Sequence, residues 1–453
     1  MASFHIPSLT TRLPFPSARS CVYHAFASSS KRTIATWSPP RPIRFESRQY
    51  RQPQEGIIHI RLSVRYISSG IRKPHDLPPD QKASYDRLRP IVDTFEAPID
   101  WAVAYGSGVM KQAQTKPGDP PSLTDLLLST SSPVEFHSIN LRQNPSHYPL
   151  HARLIGAKGV AHIQETWGAG VWYVTDVKIN NTSVKYGVIS TAALIEDLTQ
   201  WKTFYISGRL HKPTLPLVSP SSPRTESASP SSSSTSMSSS VLGEALETNR
   251  KSALATALLL CPERFEEDYL WEKIAGLSYS GDPRMSIPGG ENPEKVRNIV
   301  RGSGAREGFR EMYGSYLPQR GVMWAGPDAT EKSGWHWQDG WKGDGEALLY
   351  QPTSAAYQVE LFKSLPSRLR QSVLAHYLND ASRELDQDSE KAVISSRIQD
   401  PQFRSTISEE LRKIIHKPAL RQSIKGLFTA GFTKSFWYAL AKIRKWLNGR
   451  GKK

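Results

Sequence analysis

The sequence predicts an α+β protein, a small sheet domain followed by a mostly helical one. Three observations carry this. Residues 98–105 (Pro-Ile-Asp-Trp-Ala-Val-Ala-Tyr) read as a short buried strand running into Gly106-Ser107-Gly108. Residues 171–179 and 183–189 are rich in β-branched side chains and separated by Asn180-Asn181, a hairpin signal. Beyond a Ser-rich break, apolar residues recur at helical spacing instead of alternating.

Taken in order, residues 1–80 read as a leader. No acid precedes Glu46, and Arg12, Arg19, Lys31, Arg32, Arg41 and Arg44 are spread among Ser, Thr and Ala. That is the composition of a mitochondrial transit peptide. The first folded domain is expected over 85–217. Within it, 123–128 is a second strand carrying Asp125, 133–165 is mixed and mostly helical, and 191–201 is a helix with Leu194, Leu198 and Trp201 on one face. Residues 219–240 hold 13 Ser and 3 Pro. Such a run buries too little apolar surface to order itself, so 218–245 is read as a disordered insert. A helical domain is expected over 246–320, with helices near 253–261, 266–277 and 294–301. Residues 321–350 read as a variable loop containing Trp324, Trp335, Trp337 and Trp341. A helical region follows over 351–431, with a helix at 366–385. The last segment, 432–447, is strongly amphipathic. At 100° per residue Phe432, Phe436, Leu440, Ile443 and Leu447 fall within about 80° of each other. Trp446 flanks them, Trp437 is grouped with them, and Lys434, Lys442, Arg444 and Lys445 lie elsewhere. This is the form of a helix lying in the plane of an anionic membrane.

The charge is unevenly placed. The 453 residues hold 58 Lys and Arg against 42 Asp and Glu, a net +16. Residues 1–80 carry a net +8 and 412–453 a net +12, which leaves the middle at −4. A basic surplus suggests a polyanionic partner, but here it sits at the two ends. The body therefore lacks the signature of a nucleic-acid-binding domain. The two cysteines, Cys21 and Cys261, form no CxxC pair and no disulfide framework. No stretch reaches the roughly 20 apolar residues of a membrane-spanning helix.

A strand, then Gly-Ser-Gly, then an acid on the next strand is the layout of nucleotidyltransferase folds. Gly106 and Gly108 permit a tight turn, so that backbone N–H groups and the Ser107 hydroxyl can reach phosphate oxygens. Asp125 can hold Mg²⁺ against those phosphates. The longer context is more specific. The runs 104–109, 136–140 with His147-Tyr148, 184–190, 206–213, 274–282 and 421–431 together resemble the mitochondrial CDP-diacylglycerol synthase family, the mitochondrial translocator assembly and maintenance proteins. The resemblance covers roughly 85–317 and 405–447.

That resemblance implies a nucleotidyltransferase domain, a winged-helix-like helical domain and a membrane-binding C-terminal helix. It implies transfer from CTP to phosphatidic acid with Mg²⁺, on the matrix side of the inner mitochondrial membrane, feeding phosphatidylglycerol and cardiolipin synthesis. Asp125 is the expected metal ligand and, with Lys185, the catalytic pair. Gly106, Ser107, Gly108, Arg209 and Lys212 are expected at the nucleotide. Asp282 and Arg284 are expected in the cleft, and Arg421 and Lys425 at the lipid phosphate. His137 is a weaker catalytic candidate. Nucleic acid is not an expected partner. The sequence departs from the family after Asp125, where Leu-Leu-Leu-Ser-Thr-Ser-Ser offers no second metal carboxylate. Glu135 and Asp176 are near in sequence but match no family ligand. A nucleic-acid nucleotidyltransferase and a non-catalytic scaffold are the rival classes.

Overall fold

The computed structural model describes residues 77–109, 123–220, 233–286, 294–325, 347–378 and 386–430. Most of the expected leader and the whole amphipathic segment 432–447 lie outside these residues. The described chain opens with helix α1, Pro79–Asp93, whose Leu88, Ile91 and Val92 are fully buried. Packed structure thus starts slightly ahead of the expected boundary at 85.

The sheet half comprises β1 (Trp101–Tyr105), β2 (Thr124–Thr130), α2 (Pro133–Gln143), α3 (Leu150–Thr166), β3 (Val171–Ile179), β4 (Thr182–Ser190), α4 (Thr191–Gln200) and β5 (Leu215–Val218). Strand order is β3-β4-β2-β1-β5. The β2–β4 pairing is parallel, and the other three are antiparallel. Side-chain alternation sends Ala102, Ala104, Leu126, Leu128, Tyr186 and Val188 to one face, beneath helices α1 to α3. Trp101, Val103, Leu127 and Ile189 face the other way, against Leu194 and Leu198 of α4. Both faces are covered, which is why the central strands read as continuous apolar runs. The same alternation places Tyr105, Asp125 and Lys185 on the second face.

The helical half begins with α5, Ser233–Leu260. This helix starts inside the segment expected to be disordered to 245, and its Leu242 and Ala245 are buried against the sheet half. It continues through β6 (Arg264–Glu266), α6 (Glu267–Gly276), α7 (Pro283–Ser286), α8 (Lys295–Val300), α9 (Ala305–Tyr313), α10 (Tyr316–Gln319), β7 (Met323–Ala325), β8 (Leu348–Tyr350), α11 (Ala355–Lys363), α12 (Ser367–Leu378), α13 (Gln387–Arg397) and α14 (Phe403–Ala430). A small antiparallel sheet runs β6-β8-β7. Both ends of the expected variable loop are therefore strands, and Trp324 is buried in one of them. Trp335, Trp337 and Trp341 lie outside the described residues.

Helix α14 joins the halves. Its Ile407 and Leu411 sit in the helical core. Farther along, Gln422 accepts from the Ala169 amide (3.0 Å) and donates to the Val171 carbonyl (3.3 Å) at the start of β3. The Lys425 ammonium donates to the carbonyls of Ile163, Gln164 and Trp167 at 3.4, 3.2 and 2.5 Å. It satisfies the open carbonyls that a helix leaves at its C-terminus, here the end of α3.

One buried acid organises the link from α4 into the following loop. The Asp197 Oδ1 accepts from the Thr203 amide and hydroxyl and the Phe204 amide at 2.7–2.9 Å. Its Oδ2 accepts from the Ile206 amide and the Ser207 amide and hydroxyl at 3.0–3.2 Å. Trp201 and Phe204 adopt positive φ (57° and 56°) inside this loop, a conformation side-chain-bearing residues hold only when their surroundings enforce it. Asn249 of α5 clamps the loop from the other half. It accepts from the Trp201 indole (2.8 Å), pairs with His211 (3.0 Å) and donates to the Ser207 carbonyl (3.1 Å).

Asp197→Ala should destabilise the protein by about 3 kcal/mol, since it strands several buried donors at once. Denaturant unfolding of the two proteins measures this, and a loss under about 1 kcal/mol would refute the organising role.

Candidate active site

The site grows from one register line across three strands. Tyr105 on β1 pairs with Asp125 on β2, and Asp125 pairs with Lys185 on β4. The Lys185 ammonium donates to Asp125 Oδ1 at 2.7 Å and lies 4.8 Å from the Tyr173 ring centre. Burial opposes the Lys185 charge, but Asp125 outweighs it and holds the ammonium above its ordinary pKa. Burial pushes the Tyr105 and Tyr173 phenols up, so both are neutral.

Beyond Tyr105 the chain turns at Gly106, whose φ of 80° requires a glycine. The Val109 amide closes the turn on the Gly106 carbonyl at 3.1 Å. A Cβ on Gly106 would sit 3.4 Å from Asp125 Oδ2, so the turn lies directly over the carboxylate. Ser107 faces the same space, a cleft of about 210 Å³ between the two halves.

The opposite wall comes from the loop that Asp197 holds and from the helical half. Arg209 lies over the Tyr205 ring, 3.7 Å from its centre, and donates to the Tyr205 carbonyl. The Lys212 ammonium donates to the Gly208 carbonyl (2.6 Å) and the Ser278 hydroxyl (2.8 Å), beside the Tyr279 ring. Burial, then the nearby charges of Arg209 and Lys295, push its pKa down to about 7. Arg284 grips both oxygens of Asp282 at 2.5–3.1 Å. The carboxyl is held low because that ion pair outweighs the cost of its burial. A Cβ on Gly281 would meet the Arg412 carbonyl at 2.5 Å, so only glycine lets this segment approach α14. Ile415 and Ala419 of α14 complete the wall. The cleft's charged lining is five cations (Lys185, Arg209, Lys212, Arg284, Lys295) against two acids. That balance is electrostatically suited to an anion.

The structure thus gathers Gly106, Ser107, Asp125, Lys185, Arg209, Lys212, Asp282 and Arg284 around one cleft. It does not bring the other three there. Gly108 is not among the lining residues; its Cβ position is 2.8 Å from the Thr124 Cα, so the turn packs closely on β2 there. Arg421 is exposed on α14 and does not line the cleft. Lys425 is corrected outright, because its buried ammonium is consumed by the α3 carbonyls and cannot meet a lipid phosphate. His137 is structural as well, held between the Tyr148 hydroxyl and the Gln164 amide oxygen at 2.8 Å each. Burial pushes its pKa down to about 4. Asp176 is exposed at the β3 bulge and is not part of the lining, nor is Glu135 at the start of α2. The membrane set (Phe432, Phe436, Trp437, Leu440, Ile443, Trp446 and Leu447) lies outside the described residues.

Sequence reasoning missed Tyr105, Tyr205, Ser278, Tyr279 and Lys295 as cleft residues. For Tyr105 a signal existed, since strand alternation from Val103 points it to the face of Asp125. Ser278 and Tyr279 lay within the run 274–282 and Tyr205 four residues before Arg209, whereas nothing local marked Lys295, which enters from the first turn of α8.

Residues 88–445 match the profile of a family described as mitochondrial phosphatidate cytidylyltransferase. The mitochondrial phosphatidate cytidylyltransferase of Rattus norvegicus is 35% identical over 362 residues, spanning 80% of this chain and 95% of the relative. That of Homo sapiens is 36% identical over 355 residues, 78% of this chain and 69% of the relative. That of Schizosaccharomyces pombe is 34% identical over 369 residues, 80% and 84%.

The low Lys212 pKa gives a test that needs no knowledge of the substrate. A bound polyphosphate favours the charged ammonium and raises its pKa, so binding above pH 7 must take up a proton. Calorimetry with inorganic tripolyphosphate at pH 8, in buffers of different ionisation heat, should show that uptake. Affinity should fall as pH rises through 7. Lys212→Met should reduce the uptake; an unchanged value would reassign the titrating group.

Proposed function

The chain belongs to the mitochondrial phosphatidate cytidylyltransferase family, and from that premise we propose that it joins CTP to phosphatidic acid, yielding CDP-diacylglycerol and pyrophosphate. The observation that carries this reading is the Gly-Ser turn over Asp125, in one cleft that five cations line. A phosphate oxygen of phosphatidic acid attacks the α-phosphorus of CTP. The new P–O bond forms as the bond to the β-phosphate oxygen breaks, and pyrophosphate departs. The attacking phosphate is already anionic near neutral pH, so the site needs no strong base. Its work is positioning and charge neutralisation. The Gly106 turn and the Ser107 hydroxyl would hold the triphosphate. Arg209, Lys212 and Lys185 would offset the charge that passes to pyrophosphate. Arg284, oriented by Asp282, would meet the second phosphate from the helical half.

Asp125 is the residue that would hold Mg²⁺. Its Oδ1 is engaged by Lys185, while Oδ2 is turned to the Gly106 turn where the phosphates would lie. Among the described residues no group of three His, Cys, Asp or Glu forms a protein cage. That fits Mg²⁺, a hard ion that is commonly held by one or two carboxylates and completed by phosphate and water. Bound there, the ion would supply charge to the transferring phosphates.

The mixed sheet with its turn and acid is read as a nucleotidyltransferase fold. The helices with the β6-β8-β7 sheet are read as winged-helix-like. We place the enzyme on the matrix face of the inner mitochondrial membrane, peripherally attached through 432–447 and bound to no nucleic acid. Its product would feed phosphatidylglycerol and cardiolipin synthesis. Among the described residues no helix is long and apolar enough to cross a membrane, and the body's net charge of −4 argues against nucleic acid.

Protein lacking the leader, given labelled CTP, Mg²⁺ and phosphatidate vesicles, should form lipid-linked CMP. Asp125→Asn should lower kcat/KM by about 100-fold or more with the fold intact. Extension of RNA or DNA ends without lipid product would sink the lipid reading, and neither product would favour a scaffold.

A further inference from the structure

The outer surface where α3 meets the end of α14 is unusually apolar. Leu154 is 78% exposed, Leu150 67% and Ile424 53%. Ile155, Trp167, Leu420 and Leu427 are exposed as well. These are seven of the twelve large exposed hydrophobic side chains among the described residues, borne by α3, by the residue that follows it and by the part of α14 whose Lys425 and Phe428 contact α3. Scattered exposed leucines are ordinary, whereas a gathered set marks an interaction surface.

The patch is a built feature. The Phe428 ring lies 4.1 Å from the His151 ring and 6.3 Å from Trp167, touching both ends of α3. This is possible because α3 is two helices joined at Gly156, whose φ of 69° breaks the helical path. The short first piece then presents Leu150, Leu154 and Ile155 outward. Lys425 fixes α14 to the end of the second piece. Around the apolar side chains lie exposed Arg153, Lys158, Lys417 and Arg421. Glu165 is the one acid in α3, and none follows Glu410 in α14.

We propose that this patch is a preformed docking surface for an anionic lipid bilayer, a proposal that rests on the lipid reading of the cleft. An apolar centre with a basic rim complements an interface of acyl chains beneath anionic headgroups. A second copy of the same patch would set basic rims against each other. Two continuities point the same way. Ala419 lines the cleft and the next residue, Leu420, lies on the patch, so a bilayer seated here brings its headgroups to the cleft margin. The sequence beyond Ala430 also runs at once into the amphipathic 432–447 segment. The folded body would thus meet the membrane with its own surface, and the tail would add to that contact.

The test uses the full chain without its leader, as wild type, as Leu154→Glu/Ile424→Glu, and as the milder Leu154→Ser/Ile424→Ser. Co-sedimentation with phosphatidylcholine vesicles containing phosphatidate should show binding weaker by about tenfold or more in the Glu variant, and by less in the Ser variant. Turnover of vesicle phosphatidate should fall in parallel. Turnover of a short-chain, water-soluble phosphatidate and the thermal midpoint should stay at wild-type values. Unchanged vesicle binding in both variants overturns the proposal, as does complete loss of binding on deleting 432–453 when the patch variants bind normally. A wild-type dimer that the Glu variant splits, with vesicle binding intact, reassigns the patch to a subunit interface. If wild type converts neither form of phosphatidate, the cytidylyltransferase reading fails, while vesicle binding of the variants still decides the patch.

Discussion

The cleft depends on one carboxylate that never touches it. Asp197 gathers four backbone amides and two hydroxyls from the loop that follows its own helix. That loop has to double back in a conformation its large residues disfavour, and only a buried negative charge with enough lone pairs keeps it there. From it follow Arg209 and Lys212, which line the same cleft as Asp125. From it also follows the surface that Asn249 and Tyr313 grip from the helical half. The two halves therefore meet at a folded loop, and the site lies where they meet.

This arrangement reconciles a body of slightly negative net charge with a polyanion site. The cations are few, and the fold concentrates them: five line one cleft, three of them within or beside the Asp197-held loop and β4. Their mutual repulsion is met by aromatic faces under Arg209, Lys185 and Lys212 and by two carboxylates. An anion arriving there removes a repulsion that the empty site carries, which favours binding beyond any single contact.

The strands and their turn were legible because strand sequence is local: alternation, β-branching and Gly-Ser-Gly all declare themselves within a few residues. Asp125 and Lys185 stood out for the same reason, although their pairing across parallel strands needed the topology. Asp197 was hidden, since an acid in an amphipathic helix ordinarily faces water and nothing local reveals six donors curling back to it. Lys425 misled in the opposite way. Four residues from Arg421 on a basic helix, it reads as a cation free to meet a lipid phosphate, yet it is buried and its amine ends a distant helix. The small β6-β8-β7 sheet was invisible because its three-residue strands are far apart in sequence and each is too short to show a period. Helix α5 was read too short because the serines before it lower its apolar content without forbidding a helix.

Helix α14 spans 28 residues, roughly 42 Å at 1.5 Å per residue, and touches every part of the argument in turn. It is rooted in the helical core, walls the cleft, pins β3 and then ends α3. A splint of this kind resists any motion in which the halves swing apart. Its weak point is Pro418, which interrupts the backbone ladder between the cleft-facing Ile415 and the strand-pinning Gln422. The helix nevertheless runs on through that residue, so its hold on both halves rests on side chains: Ile407 and Leu411 at one end, Gln422 and Lys425 at the other.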